Sequence, residues 1–144
     1  MFAWWFPRYD KARYLPHLVG LKNEDDATRA LRAEGVPVRM LGRTSFDPRL
    51  IPDIGREIER TRARILHVHG YAASNFGRIA ARRAGIPLVL HEHFADPKMP
   101  WYQKIPDLFL RDLTSHAIAV SQSTADFLIR DRFVPDDRVN VVFN

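Results

Sequence analysis

The chain has 144 residues, 46% of them hydrophobic and 27% charged, a composition typical of a folded domain and not of a disordered tail. It contains no cysteine, which excludes a disulfide scaffold, a thiolate nucleophile and a cysteine zinc site. The net charge is +5, but arginines alternate with acidic residues on predicted helix faces, and no basic block with interleaved aromatic residues occurs. The charge therefore does not indicate nucleic-acid binding.

The chain starts with an aromatic run, Met-Phe-Ala-Trp-Trp-Phe, over residues 1–6. The run is too short for a membrane span or for the apolar core of a signal peptide. We predict that it packs against a neighbouring element, because aromatic side chains bury a large apolar area. Contact with a membrane interface is the alternative.

Short apolar runs then alternate with amphipathic stretches. Residues 14–21 and 36–41 are predicted strands, although Pro16 is unfavourable in the first. Between them, Asn23 is the predicted N-cap of a helix that has acidic residues in its first turn. Gly35 is expected to end that helix.

The same alternation continues to the end of the sequence. The helix over residues 71–84 is rich in small residues, which suits close packing on a sheet, and Pro106 is expected to interrupt a later helix. The alternation with short connections predicts an α/β fold with a parallel sheet covered by helices on both faces, in one domain over residues 1–144. The predicted helices are residues 47–63, 71–84, 103–114 and 122–130, and the predicted strands are residues 64–68, 86–90, 116–120 and 138–143.

Polar residues follow three of these strands, where ligands bind in open parallel sheets. His67 and His69 are two residues apart on a strand, so they point to the same face, and Gly70 permits close approach of the backbone to a ligand. The next strand ends in His-Glu-His at residues 91–93, and Ser121 follows the third. Imidazoles at these positions can bond a substrate hydroxyl or phosphate, or act as an acid or base near neutrality.

Each of these residues also has a structural explanation. His67 is predicted as a core histidine with satisfied hydrogen bonds, and His69 and Gly70 can simply shape the turn into the next helix. Glu92 can pair with an arginine or a histidine, and Ser121 is well placed to cap a helix.

The two His-x-His pairs raise the alternative of a metal site, because histidines two apart on strands are known ligand sets. A metal-dependent hydrolase using both pairs is therefore one alternative function. A non-catalytic α/β binding domain is another. The sequence has no glycine-rich phosphate loop and no nucleophile elbow, so a dinucleotide enzyme, a P-loop protein and a serine hydrolase are unsupported.

Residues 64–144 resemble the N-terminal domain of family 4 glycosyltransferases, a group with the two-domain GT-B fold. The individual motifs are loose, but their order and spacing together are specific, and residues 25–41 resemble the family's preceding helix and strand. The motifs that carry the resemblance are Ile-Leu-His-Val-His-Gly at 65–70, Ala-Ala-Arg-Arg-Ala-Gly-Ile-Pro at 80–87, Leu-Val-Leu-His-Glu-His at 88–93, Ala-Ile-Ala-Val-Ser at 117–121 and Asp-Arg-Val-Asn-Val-Val-Phe-Asn at 137–144.

The resemblance implies a Rossmann-like half of a GT-B enzyme that binds the acceptor, while a second domain binds a nucleotide-sugar donor. It implies transfer of a hexosyl group to a hydroxyl with retained configuration, and no metal or other cofactor. The family's recurrent histidine lies six positions after the proline that begins a strand. Here that proline is Pro87, so the implied catalytic residue is His93. The implied substrate-binding residues are His69, Gly70, Glu92 and Ser121.

The resemblance further implies a sugar, lipid or glycan acceptor, and a cytoplasmic enzyme with peripheral contact to the inner face of the membrane. The family's first strand with its Gly-Gly loop, and its donor domain, have no counterpart in this sequence. We therefore expect the chain alone to be inactive and poorly stable, since unpaired strand edges favour association.

Overall fold

The structure, a computed structural model, describes residues 6, 8–10 and 12–143. The chain forms two compact units, divided between Leu50 and Ile51, and each unit has its own parallel sheet. Residues 1–5 of the aromatic run and Asn144 of the last motif lie outside the described residues. In the part of the chain that the structure describes, no helix is long and apolar enough to cross a membrane.

The first unit pairs two strands around one helix. Strand β1 (Leu18–Gly20) runs parallel to β2 (Val38–Met40), with Leu18 opposite Val38, and α1 (Asp26–Ala33) connects them. Both strands are shorter than predicted: the parallel register pairs three residues of each, and the hydrogen bonds that follow, such as Leu41 N–H to the Gly20 carbonyl at 2.9 Å, belong to the loops after the strands.

A small core stabilises this unit. Phe6 is buried with Val36 and Val38, and the ring of Tyr9 meets Phe6 edge-on at 5.8 Å between centroids. The prediction that the aromatic run packs against a neighbouring element is therefore confirmed at Phe6.

The N-cap of α1 is Asp25, so the prediction of Asn23 was wrong. The Asp25 carboxylate accepts hydrogen bonds from the Thr28 backbone N–H at 2.8 Å and from the Thr28 hydroxyl at 2.7 Å. Both bonds favour the charged carboxylate and lower the pKa of Asp25. The helix starts at Asp26, two residues later than an N-cap at Asn23 would place it, and Asp25 is the residue directly before that start.

The second unit contains a four-stranded parallel sheet in the order β3-β4-β5-β6. Every predicted element is present, with ends that differ by a few residues, and the predicted α/β class with parallel strands is confirmed. The strands are β3 (Leu66–His69), β4 (Leu88–Glu92), β5 (His116–Ala119) and β6 (Val139–Val141). The helices are α2 (Leu50–Thr61, whose first residue belongs to the first unit), α3 (Tyr71–Ala84), α4 (Trp101–Leu110) and α5 (Gln122–Arg130), with short 3-10 turns at Arg111–Leu113 and Asp136–Arg138.

Strand β4 and helix α4 each differ from the prediction because of contacts with residues far away in the chain. Strand β4 continues to Glu92, because His91 and Glu92 pair with Ile118 and Ala119 of β5. Helix α4 continues through Pro106, although a proline removes one helical hydrogen bond. The next residue, Asp107, is buried and bonded to two arginines, and these bonds hold that turn in place.

The core of the second unit lies on one face of the sheet, beneath α3 and α5. Helix α3 approaches closely because Gly77 faces the strands, where a Cβ atom would lie 3.0 Å from Val68 Cγ1 and 3.4 Å from Leu88 Cδ1. The prediction of close packing by this small-residue helix is confirmed. The buried core residues are Val68, Ala81, Leu88, Leu90, Ala117, Ala119, Ala125, Leu128 and Val134.

This packing predicts opposite effects for two glycine-to-alanine changes in helices. Gly55→Ala should raise the free energy of unfolding by about 0.5–1 kcal/mol, because no described atom lies within 4 Å of the added Cβ and alanine is the better helix former. Gly77→Ala should lower it, because overpacking against the sheet costs about 1–3 kcal/mol. Urea unfolding of both variants measures the difference, and equal gains in stability would contradict the close approach.

Candidate functional site

The strands place four histidines on the face of the sheet opposite the core. Val68 and Leu90 point into the core, so their neighbours in the strands point away from it. The parallel register sets His69 of β3 directly opposite His91 of β4. His93 follows two residues after His91 and meets the same group of rings.

The four side chains form a compact group, which we call the four-histidine cluster (His67, His69, His91 and His93). His67 Nε2 lies 3.2 Å from His91 Nδ1, and His69 Nδ1 lies 2.9 Å from His93 Nε2. The rings stack, with centroids 4.2 Å apart for His91 and His93 and 5.3 Å apart for His67 and His91. Two hydrogen bonds thus join the strand pair across the cluster.

Burial, together with the repulsion that charged neighbours would exert, keeps three of these imidazoles neutral. Loss of solvent, and then the like charge that the other histidines would carry, lower the pKa of His69 to about 3 and of His91 to about 4. Loss of solvent also lowers the pKa of His67, with His93 as the second cause. Neutral imidazoles have one N–H donor and one lone pair each, so the cluster can both donate and accept hydrogen bonds at neutral pH.

His67 is not the core histidine that the sequence suggested. It is the most exposed member of the cluster and lies on the side of β3 away from Val68. The prediction failed because the period of two in a strand shows which residues share a face, but not which face is buried.

Gly70 and Ser121 lie at the same carboxyl edge of the sheet and have clear local roles. Gly70 is the residue before α3 and has a φ of +80°, a conformation that favours glycine. The Ser121 hydroxyl accepts a hydrogen bond from the Thr124 N–H at 3.2 Å and so caps α5, which confirms the capping interpretation. Substrate contact by these two residues stays a prediction.

Glu92 is directed away from the four imidazole rings, although its Oε1 accepts a hydrogen bond from the His93 backbone N–H at 3.3 Å. Its side chain is 13% exposed, and its Oε2 accepts a hydrogen bond from Arg132 Nη1 at 2.7 Å. The prediction that Glu92 pairs with an arginine is therefore confirmed. Its contact with substrate also stays a prediction.

Arg132 belongs to a buried charge network that the sequence did not reveal. Asp107 accepts hydrogen bonds from Arg78 and, through both oxygens, from Arg132, at 2.9 Å from Nε and 3.0 Å from Nη2. The side chains of Arg78 and Asp107 are completely buried. Arg78 Nε also donates to the Thr114 hydroxyl at 2.8 Å, and Arg132 Nη2 donates to the Ser74 hydroxyl at 2.7 Å. The network joins α3, α4, the end of β4 and the segment after α5.

One sequence feature could have indicated this network. Ser74, Arg78 and Ala81 have the spacing of a single helix face, and Ala81 is an apolar residue of the kind that faces a core. A charged residue on the apolar face of a helix requires a buried partner. The sequence alone does not identify that partner, because Asp107 and Arg132 are far away along the chain.

Comparison with known proteins shows which family and which solved structures the chain is similar to. The family model described as Glycosyltransferase Family 4 matches residues 7–144. A search of curated proteins finds no match. Among solved structures, Anabaena Alr3699/HepE in complex with UDP is similar over 88% of this chain and 36% of that chain, with a TM-score of 0.71 and 21% identity.

Two further structures share the fold. The glycosyltransferase from Rickettsia africae ESF-5 is similar over 89% of this chain and 35% of that chain, with a TM-score of 0.69 and 14% identity. UDP-N-acetylglucosamine 2-epimerase from Rickettsia bellii is similar over 87% of this chain and 36% of that chain, with a TM-score of 0.62 and 15% identity. The chain thus spans about a third of the length of these proteins, and likeness at such identities shows the fold alone.

The buried network predicts a strong effect of removing its central charge. Asp107→Asn should lower the free energy of unfolding by about 3–5 kcal/mol, because two buried guanidinium groups lose their shared carboxylate. The matched control is Asp112→Asn, whose side chain is 75% exposed and lies 4.0 Å from Arg111. It should change stability by less than about 0.5 kcal/mol. Equal urea midpoints for the two variants would contradict a structural role of the network.

The lowered pKa values of His69 and His91 predict that acid destabilises the fold. As pH falls below 6.5, the unfolded histidines take up protons, whereas the folded ones do so only near pH 3 to 4. The free energy of unfolding should therefore fall between pH 6.5 and about 3. With a chelator present, the double variant His69→Gln, His91→Gln should show a shallower fall. A slope equal to that of the unchanged protein would show that these imidazoles are protonated in the folded state.

Proposed function

The chain belongs to glycosyltransferase family 4, and on that premise we propose that it is the acceptor-binding half of a retaining glycosyltransferase. The proposed reaction moves a hexosyl group from a nucleotide-sugar to a hydroxyl. The observation that carries the proposal is the meeting of His69 and His93, 2.9 Å apart, at the carboxyl edge of a parallel sheet of this family. Ligands of open parallel sheets bind at that edge.

His93 is the proposed catalytic residue because its partner sets its hydrogen-bonding character. His69 is neutral over the physiological pH range, so of the two facing nitrogens one must donate and the other must accept. Whichever direction this bond takes, Nδ1 of a neutral His93 has the opposite character to its Nε2. That nitrogen can then accept from, or donate to, a sugar hydroxyl in the cleft.

His69, Gly70, Glu92 and Ser121 are the proposed substrate-binding residues. All four lie at the carboxyl ends of β3, β4 and β5 or directly after them. Gly70 leaves the start of α3 without a side chain at its N-cap, where an approaching ligand would meet backbone N–H groups. Glu92 is held by Arg132, so its contribution is proposed to come through Oε1 or through the orientation of the adjacent histidines.

We assign the donor to a second domain that this chain does not span. The structure of Anabaena Alr3699/HepE contains UDP in one crystal and UDP-glucose in another, and this chain covers about a third of that protein. By analogy, the donor proposed here is a nucleoside diphosphate sugar. The 144 residues alone are then proposed to be inactive.

The acceptor is proposed to be a sugar, a lipid or a glycan, used in the cytoplasm at the inner face of the membrane. Support comes from the aromatic side of α4, where Trp101 is 74% exposed and Phe109 is 78% exposed. Exposed aromatic residues on an amphipathic helix suit a membrane interface.

The hydrolase alternative has one observation in its favour, the close approach of four imidazoles. A metal hydrolase also needs a base beside the activated water, commonly a carboxylate. Glu92, the carboxylate that the sequence placed among the histidines, points instead to Arg132 on the other side of the strand. The glycosyltransferase proposal is therefore preferred.

The proposal predicts that His93→Ala lowers kcat about 100-fold in the enzyme that contains this chain together with its donor domain. Transfer from a panel of nucleoside diphosphate sugars to a hydroxyl acceptor is measured, and product anomers show whether configuration is retained. His116→Ala, at an exposed position on the same sheet, is the matched control and should keep its kcat. Unchanged kcat for His93→Ala would remove the catalytic assignment. Absence of transfer with every donor would instead favour a binding domain.

A further inference from the structure

Three members of the four-histidine cluster meet the geometric requirement for a metal ion. One ring nitrogen from each of His67, His69 and His91 lies within 4.8 Å of the other two. We propose that these three histidines bind one divalent transition-metal ion of the Zn²⁺ type. The proposal does not depend on the glycosyltransferase function, and it leaves His93 outside the ligand set.

The distances are close to those of a bound ion. A tetrahedral zinc ion with Zn–N bonds of about 2.0–2.1 Å places its ligand nitrogens about 3.3 Å apart. His67 Nε2 and His91 Nδ1 are already 3.2 Å apart. The other spacings in the set are at most 4.8 Å, and we expect rotation of the imidazole rings to bring these nitrogens to bonding distance.

The frame that carries the ligands is rigid. His67 and His69 are on β3 and His91 is on β4, and the two strands pair in register with His69 opposite His91. On the other side of the strands, Val68, Leu88 and Leu90 are fixed in the core. Ligands on paired strands hold their geometry better than ligands on loops, which lowers the cost of ordering them.

The chemistry of the donors selects the class of ion. Imidazole nitrogen suits Zn²⁺, Ni²⁺ and Cu²⁺, whereas Mg²⁺ and Ca²⁺ prefer oxygen ligands. The three ligands in the set are all imidazoles. The site should therefore discriminate strongly against Mg²⁺.

The test uses the full 144-residue chain without a histidine tag, dialysed against a chelator. Isothermal titration with Zn²⁺ should give one ion per chain. Mg²⁺ should give no binding heat. Co²⁺ should produce the strong visible absorption of a tetrahedral site, which reports coordination independently of the heat.

Two variants and a matched control locate the site. His67→Gln and His91→Gln should each weaken Zn²⁺ binding at least about tenfold. His116→Gln should bind like the unchanged protein, because His116 lies on the same sheet but on β5, two strands away from His67. His67 is exposed, so His67→Gln keeps the fold, and circular dichroism confirms this for each variant.

Three results would overturn the proposal. Absence of Zn²⁺ binding excludes the site, and equal loss of affinity in His116→Gln shows nonspecific binding to surface histidines. One ion per two chains in the titration, together with a Zn²⁺-dependent dimer in sedimentation, shows a site between copies of the chain. Sugar transfer is measured separately with His93→Ala, so failure of the metal site leaves the proposed function to its own test.

Discussion

The buried carboxylate of Asp107 is the interaction on which the second unit depends. It accepts hydrogen bonds from both Arg78 and Arg132, and Arg132 also binds Glu92. Two positive and two negative groups therefore balance inside the protein. Each of these charges would cost several kcal/mol if buried alone, so the four are stable only together. Because they come from α3, α4, the end of β4 and the segment after α5, their pairing fixes how these elements meet.

The network also determines the position of the histidines. Glu92 lies between His91 and His93 in the chain, and alternate residues of a strand point to opposite sides. When Arg132 holds Glu92 on one side, the two histidines are directed to the other, where they meet His67 and His69. A purely apolar core could stabilise the helices equally well. An apolar core would not fix the end of β4. We therefore infer that the charge network positions the four-histidine cluster.

Local signals in the sequence predicted the helices and strands. The sequence did not predict the features that depend on contacts between residues far apart in the chain. Helix α3 has the predicted bounds because Gly70 and Gly85 mark its ends, each with a positive φ. Ser121 caps α5 for an equally local reason. The extension of β4 to Glu92 depends on partners in β5, which the sequence of β4 does not contain. Arg78 lies on an apolar helix face and so requires a buried partner, but the sequence does not identify that partner, because Asp107 is 29 residues away.

The four-histidine cluster is inferred to bind a metal ion and, through His93, a substrate. The two uses are linked because each neutral imidazole has only one lone pair. A neutral imidazole has one lone pair, so an ion held by His67 and His91 must replace the hydrogen bond between them. If His69 also binds the ion through one nitrogen, its other nitrogen has to donate, and His93 is the acceptor that lies 2.9 Å away. His93 Nε2 would then accept, and its Nδ1 would present an N–H toward the cleft. A bound ion would therefore fix His93 as a hydrogen-bond donor to a substrate oxygen, and without the ion His93 can take either character.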